Sequence, residues 1–176
     1  MKKLLPLILA TILLLSLAAC QEAENDTIPE VSPTTAQLYT ERADSEDGGY
    51  DIREYDADGN LLRKTWHNTY GIVWQTEEYD TAGRLLCRTR HNAYGTVNLY
   101  WSYKYDADSN LQRVTWHDID GTVDQIDEYD TDGNLLHSTT YNEDGTINAF
   151  NEYGEDGNLQ RRTVYISDTA YSVTEY

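Results

Sequence analysis

The chain has 176 residues with 31 acidic and 13 basic side chains, a formal net charge of −18, and 39% apolar residues. That charge repels nucleic acid phosphates and anionic lipid headgroups, so neither is an expected partner. Its two cysteines exclude a disulfide-dense scaffold.

The N-terminus carries an address. Lys2 and Lys3 precede an apolar run, Leu4 to Leu17, that ends at Leu17-Ala18-Ala19-Cys20. This is secretory-signal architecture, too short and too sharply ended for a transmembrane helix. The four closing residues resemble the lipobox of bacterial lipoproteins. That resemblance implies a signal peptide over residues 1–19 and a lipidated Cys20, held in a bacterial cell membrane on its extracytoplasmic face. Each buried methylene of such acyl chains contributes about 0.8 kcal/mol. Removal of Lys2 and Lys3 leaves 11 basic against 31 acidic residues, a mature charge of −20. Residues 20–35 are polar, acidic and contain Pro29 and Pro33. They cannot bury enough apolar surface to offset their ordering entropy and are read as a flexible linker. With Cys20 lipidated, Cys87 is expected to be a packed small side chain in a domain with no internal disulfide.

From residue 36 onward the chain repeats itself. Gly59, Gly71, Gly83, Gly95, Gly121, Gly133, Gly145 and Gly157 fall at a spacing of 12, except for the step from Gly95 to Gly121. Within that step Ser109 takes a glycine's place, 14 residues on. Two residues after each turn residue stands an aliphatic side chain, from Leu61 to Leu159, and eight after it a ring, such as His67, Tyr79 or His91. Self-similarity at so short a period marks a repeat array, one strand and one turn per unit. Sequences such as Asp56-Ala57-Asp58-Gly59 suit a type I turn whose glycine takes the positive φ of a bulge. Between turns, β-branched and aromatic residues alternate with polar ones, the period of a strand.

Two further strands are expected near Gln37–Arg42 and Tyr50–Tyr55, and a last one at Tyr171–Tyr176. The predicted fold is therefore all-β, a repetitive antiparallel meander of about twelve short strands over residues 36–176. So many strands are expected to twist and curl into a partial barrel or spiral strip.

At "YDADGNLL", "YDTAGRLL" and "YDTDGNLL" the chain resembles the YD-repeat family of Rhs and teneurin shells, over roughly residues 50–165. The resemblance implies a spiralling β-strip. The chain has far too few repeats to enclose a cargo and lacks a C-terminal toxin or protease segment, so it implies a small surface module rather than a shell.

Counting symmetrically out from the turns sets Leu61 opposite Tyr79, Arg63 opposite Glu77, Thr65 opposite Gln75 and His67 opposite Val73. The next hairpin sets Tyr79 opposite Leu85 and Val73 opposite His91. Aliphatic–ring pairs then line both rims, each contributing roughly 0.2–1 kcal/mol. His67, His91 and His117 occupy the ring position of their strands, roughly 9–10 Å apart at sheet spacing. They read as packed rings rather than metal ligands or bases. The turn aspartates Asp56, Asp58, Asp106, Asp108, Asp130, Asp132 and Asp156 line one edge, and Asp118, Asp120 and Asp144 the other. Turn formation explains them without a metal, and no cofactor is expected; weak Ca2+ binding at these turns is the alternative.

The same counting places Trp66 opposite Trp74, Trp74 opposite Arg90, and Arg88 opposite both Thr76 and Tyr100. These five candidate ligand-binding residues, Trp66, Trp74, Arg88, Arg90 and Tyr100, form a patch of the rings and guanidinium groups common in binding hot spots. Two extra residues in Asn98–Lys104 lie beside it and are read as either a bulge or a tolerated slip. A periodic meander offers no converging carboxylates or nucleophile–base pair. The chain is therefore expected to be a lipid-anchored, non-enzymatic module for a glycan or protein partner. An envelope spacer or an envelope-acting hydrolase are the alternatives.

Overall fold

The computed structural model describes residues 38–167 and 170–176, so the signal peptide and the linker lie outside the described residues. Twelve strands follow one another: β1 (Tyr39–Asp44), β2 (Tyr50–Tyr55), β3 (Leu61–His67), β4 (Val73–Tyr79), β5 (Leu85–His91) and β6 (Val97–Tyr105). β7 (Leu111–Asp118), β8 (Val123–Tyr129), β9 (Leu135–Tyr141), β10 (Ile147–Tyr153), β11 (Leu159–Ser167) and β12 (Ala170–Glu175) complete them. All belong to one antiparallel sheet in chain order, which does not close into a barrel. No described residue is helical.

Among the described residues each strand meets only its neighbours in sequence, so no second layer covers the sheet. Among the described residues only Cys87, Tyr100, Val114 and Ala149 are buried apolar side chains. Stability therefore comes from the backbone ladder and from cross-strand side-chain pairs, as in repeat proteins whose units stack on their neighbours.

The backbone of every turn in the regular array is built alike. In the first, the Gly59 N–H donates to the Asp56 carbonyl at 3.2 Å and the Asp56 N–H to the Asn60 carbonyl at 3.0 Å. The Asp56 carboxylate accepts the N–H groups of Asp58 and Asn60 at 3.0 and 2.8 Å. The turn residue takes a positive φ each time, and Ser109, at 72°, is the one non-glycine residue to do so among the described residues. Rings from earlier strands lie over some of these glycines: the hydroxyl of Tyr50 is 3.6 Å from where a Cβ on Gly71 would sit, and that of Tyr100 is 3.7 Å from one on Gly121.

Beside each such turn the pairing slips by one residue. Tyr55 faces Leu61, His67 faces Val73 and Tyr79 faces Leu85, as the symmetric count expects. Beyond that pair the register shifts, so Arg63 faces Glu78, Thr65 faces Thr76 and Trp66 faces Gln75. Arg63 opposite Glu77 and Thr65 opposite Gln75 are thus corrected, and neither Leu61 with Tyr79 nor Val73 with His91 is a ladder pair. The cause is the bulge: two residues of one strand oppose one of the other, which also strengthens the local twist.

The shifted register defines two faces. One carries Tyr50, Thr65, His67, Thr76, Thr89, Tyr100 and His117; the other carries Lys64, Trp66, Gln75, Glu77, Arg88, Arg90, Trp101 and Trp116. The two extra residues near Asn98–Lys104 do not form a bulge within the strand. They lengthen β6 to nine residues, and its pairing with β7 runs unbroken from Leu99–Asp118 to Lys104–Arg113. At the resulting step the Tyr105 hydroxyl donates to the Leu85 carbonyl at 3.0 Å, and the Arg84 guanidinium lies 5.0 Å over the Tyr105 ring. Cys87 is buried, 1% exposed.

Candidate functional site

On the first face the rings stack. Tyr50 lies on His67 with ring centroids 4.4 Å apart, and Tyr100 lies on His117 at 4.3 Å, both nearly parallel. The Ser102 hydroxyl is 3.1 Å from His117 Nε2. Burial lowers the pKa of both His67 and His91, favouring neutral imidazoles. Among the described residues no group of three or more His, Cys, Asp or Glu side chains is placed to hold a metal ion.

The turn carboxylates are occupied locally. Asp106 accepts from the side chain and backbone of Asn110 at 3.0 and 2.8 Å, and Asp130 accepts likewise from Asn134. The side-chain hydrogen bonds from Asn60, Asn110 and Asn134, followed by the backbone ones, hold Asp56, Asp106 and Asp130 below the ordinary carboxylate pKa.

The second face concentrates indoles and cations. Trp66 and Trp74 approach to 6.1 Å between centroids, and Trp101 meets Trp116 edge-on at 5.3 Å. In each pair one ring is half-buried and the other exposed, Trp74 by 42% and Trp116 by 37%. Lys64 Nζ lies 4.3 Å above Trp66, and the Arg90 guanidinium carbon 5.9 Å from the Trp101 ring. The pairs are three strands apart, so about 14–15 Å separates them at the usual strand spacing.

Glu77 anchors the floor between them. It is buried and accepts from Arg88 Nε at 2.8 Å, from Gln75 Nε2 at 3.1 Å and from the Tyr79 hydroxyl. Burial first, and then the bond to Glu77, push the Tyr79 pKa up and keep its proton in place. Arg88 is thereby committed to the scaffold, while Arg90 stands exposed between Gln75 and Leu99. This arrangement presents flat apolar rings and hydrogen-bond donors on a fixed sheet.

Four of the five candidate residues come together here: Trp66, Trp74, Arg88 and Arg90. Tyr100 does not; it pairs with Thr89 and His117 on the opposite face. Trp101, directly opposite Arg88, takes the position assigned to it, and Trp66 faces Gln75 rather than Trp74. The symmetric count missed Trp101 and Trp116. The repeat itself could have found Trp116, because Trp66-His67 and Trp116-His117 occupy equivalent places in their units.

A family model described as a protein of unknown function (DUF2963) matches residues 117–164. No curated protein matches. Among solved structures, a mutant of S. aureus TarM in complex with Fondaparinux, alpha-GlcNAc-glycerol and UDP is 12% identical over 55% of this chain and 19% of its own, with a TM-score of 0.39. A TcdB2-TccC3-Cdc42 structure is 16% identical over 73% of this chain and 9% of its own, at 0.37. A GtfA/B complex bound to UDP and GlcNAc is 11% identical over 90% and 29%, at 0.27. The chain therefore spans less than a third of each of these. The expectation that it is not an enzyme is withdrawn, because an all-β meander by itself neither supplies nor excludes catalysis. What stands is an all-β repeat protein whose twelve strands form one open sheet.

Proposed function

We propose that this repeat protein is a lipid-anchored module on the extracytoplasmic face of a bacterial membrane that binds a glycan on its tryptophan face. The observation that carries the reading is the pair of tryptophan clusters on one face, each offering one exposed ring from a half-buried partner. Exposed indoles on a rigid strand ladder lose little freedom on binding, and their flat faces suit the apolar faces of sugars. The anchor rests on Lys2, Lys3, the apolar run and Leu17-Ala18-Ala19-Cys20, and the repeat on its YD-type turns.

A glycan array probed with the wild type, Trp74→Ala and His67→Ala tests the site. Binding lost in Trp74→Ala and kept in His67→Ala supports it. Equal binding by all three removes the tryptophan face from the account, and binding only to a protein partner removes the glycan. Detergent-phase partitioning of wild type against Cys20→Ala tests the anchor. A variant that still enters the detergent phase contradicts it.

A further inference from the structure

We propose that the ligand of the tryptophan face is an anionic glycan, with the Arg90 guanidinium holding the carboxylate or phosphate of a sugar seated between the two tryptophan pairs. This rests on the glycan-binding reading above and adds the charge of the ligand to it.

In a chain with a net charge of −18, cations are ordinarily matched to carboxylates. Arg53 pairs with Asp51, Arg63 with Glu54 and Glu78, Arg84 with Asp80, Arg88 with Glu77 and Arg113 with Glu128. Arg90, like Arg162 on β11, departs from that rule. It is exposed, and among the described residues no carboxylate forms an ion pair with it. Its cross-strand neighbours, Gln75 and Leu99, are uncharged. Its guanidinium leans toward the Trp101 ring, which holds its plane near the sheet without neutralising it.

The charge around it is favourable despite the acidity of the whole. Lys64, Arg88 and Arg90 share the face with Asp51 and Glu77, and those two carboxylates are already engaged by Arg53 and Arg88. Asp118, further along the row from Arg90, accepts the N–H of Ile119 at 2.7 Å in its own turn. The remaining negative charge acts over a Debye length of about 8 Å at physiological salt, so distant acids count for little at this spot. A guanidinium presents a planar fork of donors that carboxylate and phosphate oxygens satisfy together. It lies on β5, one strand from Trp74 and one from Trp101, where a chain of sugars stacked on both pairs passes over it.

Isothermal titration of the full chain in detergent micelles tests this with four probes: hexagalacturonic acid, a mannose 6-phosphate oligosaccharide, maltohexaose and a hexaglutamate peptide. One of the two anionic carbohydrate probes is expected to bind about tenfold or more tighter than maltohexaose; which one identifies the anion. Arg90→Gln is expected to abolish that difference, and Arg162→Gln, exposed on the same face in β11, to leave it intact. Equal affinity for acidic and neutral sugars, or an unchanged preference in Arg90→Gln, overturns the inference while the glycan reading stands. No binding to any sugar defeats both, and so does tightest binding to hexaglutamate.

Discussion

Ser109→Gly is expected to stabilise the protein. Ser109 holds φ at 72° where every equivalent turn uses glycine. A left-handed conformation costs an L-residue roughly 1–2 kcal/mol through the clash of its Cβ with the following carbonyl. Glycine removes that clash but adds freedom to the unfolded chain, returning about 0.5–1 kcal/mol. The Arg84 Nη1 contact to the Ser109 hydroxyl, 3.3 Å and exposed, contributes little. The net gain is about 0.5–1 kcal/mol, a rise of roughly 2–3 °C in melting midpoint for a domain of this size. The reciprocal change isolates the backbone effect: at Gly133, φ is 86° and an added Cβ meets nothing within 4 Å. Gly133→Ser is therefore expected to lower the midpoint by a similar amount, for conformation alone. Thermal melts followed by circular dichroism measure both. If Ser109→Gly lowers the midpoint, or if both changes act in one direction, the turn argument is wrong.

Three other outcomes follow from the side chains. Burial lowers the His67 and His91 pKa, so the unfolded chain binds protons more readily; the stability involved is present above about pH 6.5 and lost as pH falls from there through the lowered folded values. Urea midpoints measured from pH 7.5 to 5 should decline, and His67→Tyr with His91→Tyr, the ring used by neighbouring strands, should flatten that slope. The turn carboxylates of Asp56, Asp106 and Asp130 have folded pKa values below their ordinary ones, so their contribution is present above about pH 4 and lost as pH falls through those lowered values. Melts between pH 5 and 2 should show it, and Asp130→Asn, which keeps a turn acceptor, should lessen the loss. Glu77→Ala strips half-buried Tyr79 and Arg88 of their acceptor and should cost about 1–3 kcal/mol in urea unfolding, with part recovered by adding Arg88→Ala.

The meander itself was legible because its signals are local. Turn residues twelve apart give the strand count, and each ring-to-aliphatic pair beside a turn, such as His67 with Val73, falls where the symmetric count expects. β2 matches its expected bounds, whereas β1 and β12 sit one or two residues away, where no repeat fixes the register. The pairing beyond each turn was not legible in the same way. The shift comes one step beyond the ring-to-aliphatic pair, where two residues of one strand oppose one of the other, and it moves every later pair by one residue. A count without that shift put Tyr100 beside Arg88, whereas the chain puts Trp101 there. The lengthening of β6 was visible as two added residues, but whether they bulge or extend a strand depends on Tyr105 and Arg84 meeting at the rim. Charge matching was also out of reach, because Arg88 and Arg90 look alike in sequence and only the position of Glu77 tells them apart.

Cross-strand nuclear Overhauser effects between β5 and β6 decide whether the tryptophan face exists. The register predicts close backbone contacts for Arg88 with Trp101, Thr89 with Tyr100 and Arg90 with Leu99. Contacts of Arg88 with Tyr100 instead would return Tyr100 to that face, turn Trp101 away from Arg90 and contradict the site.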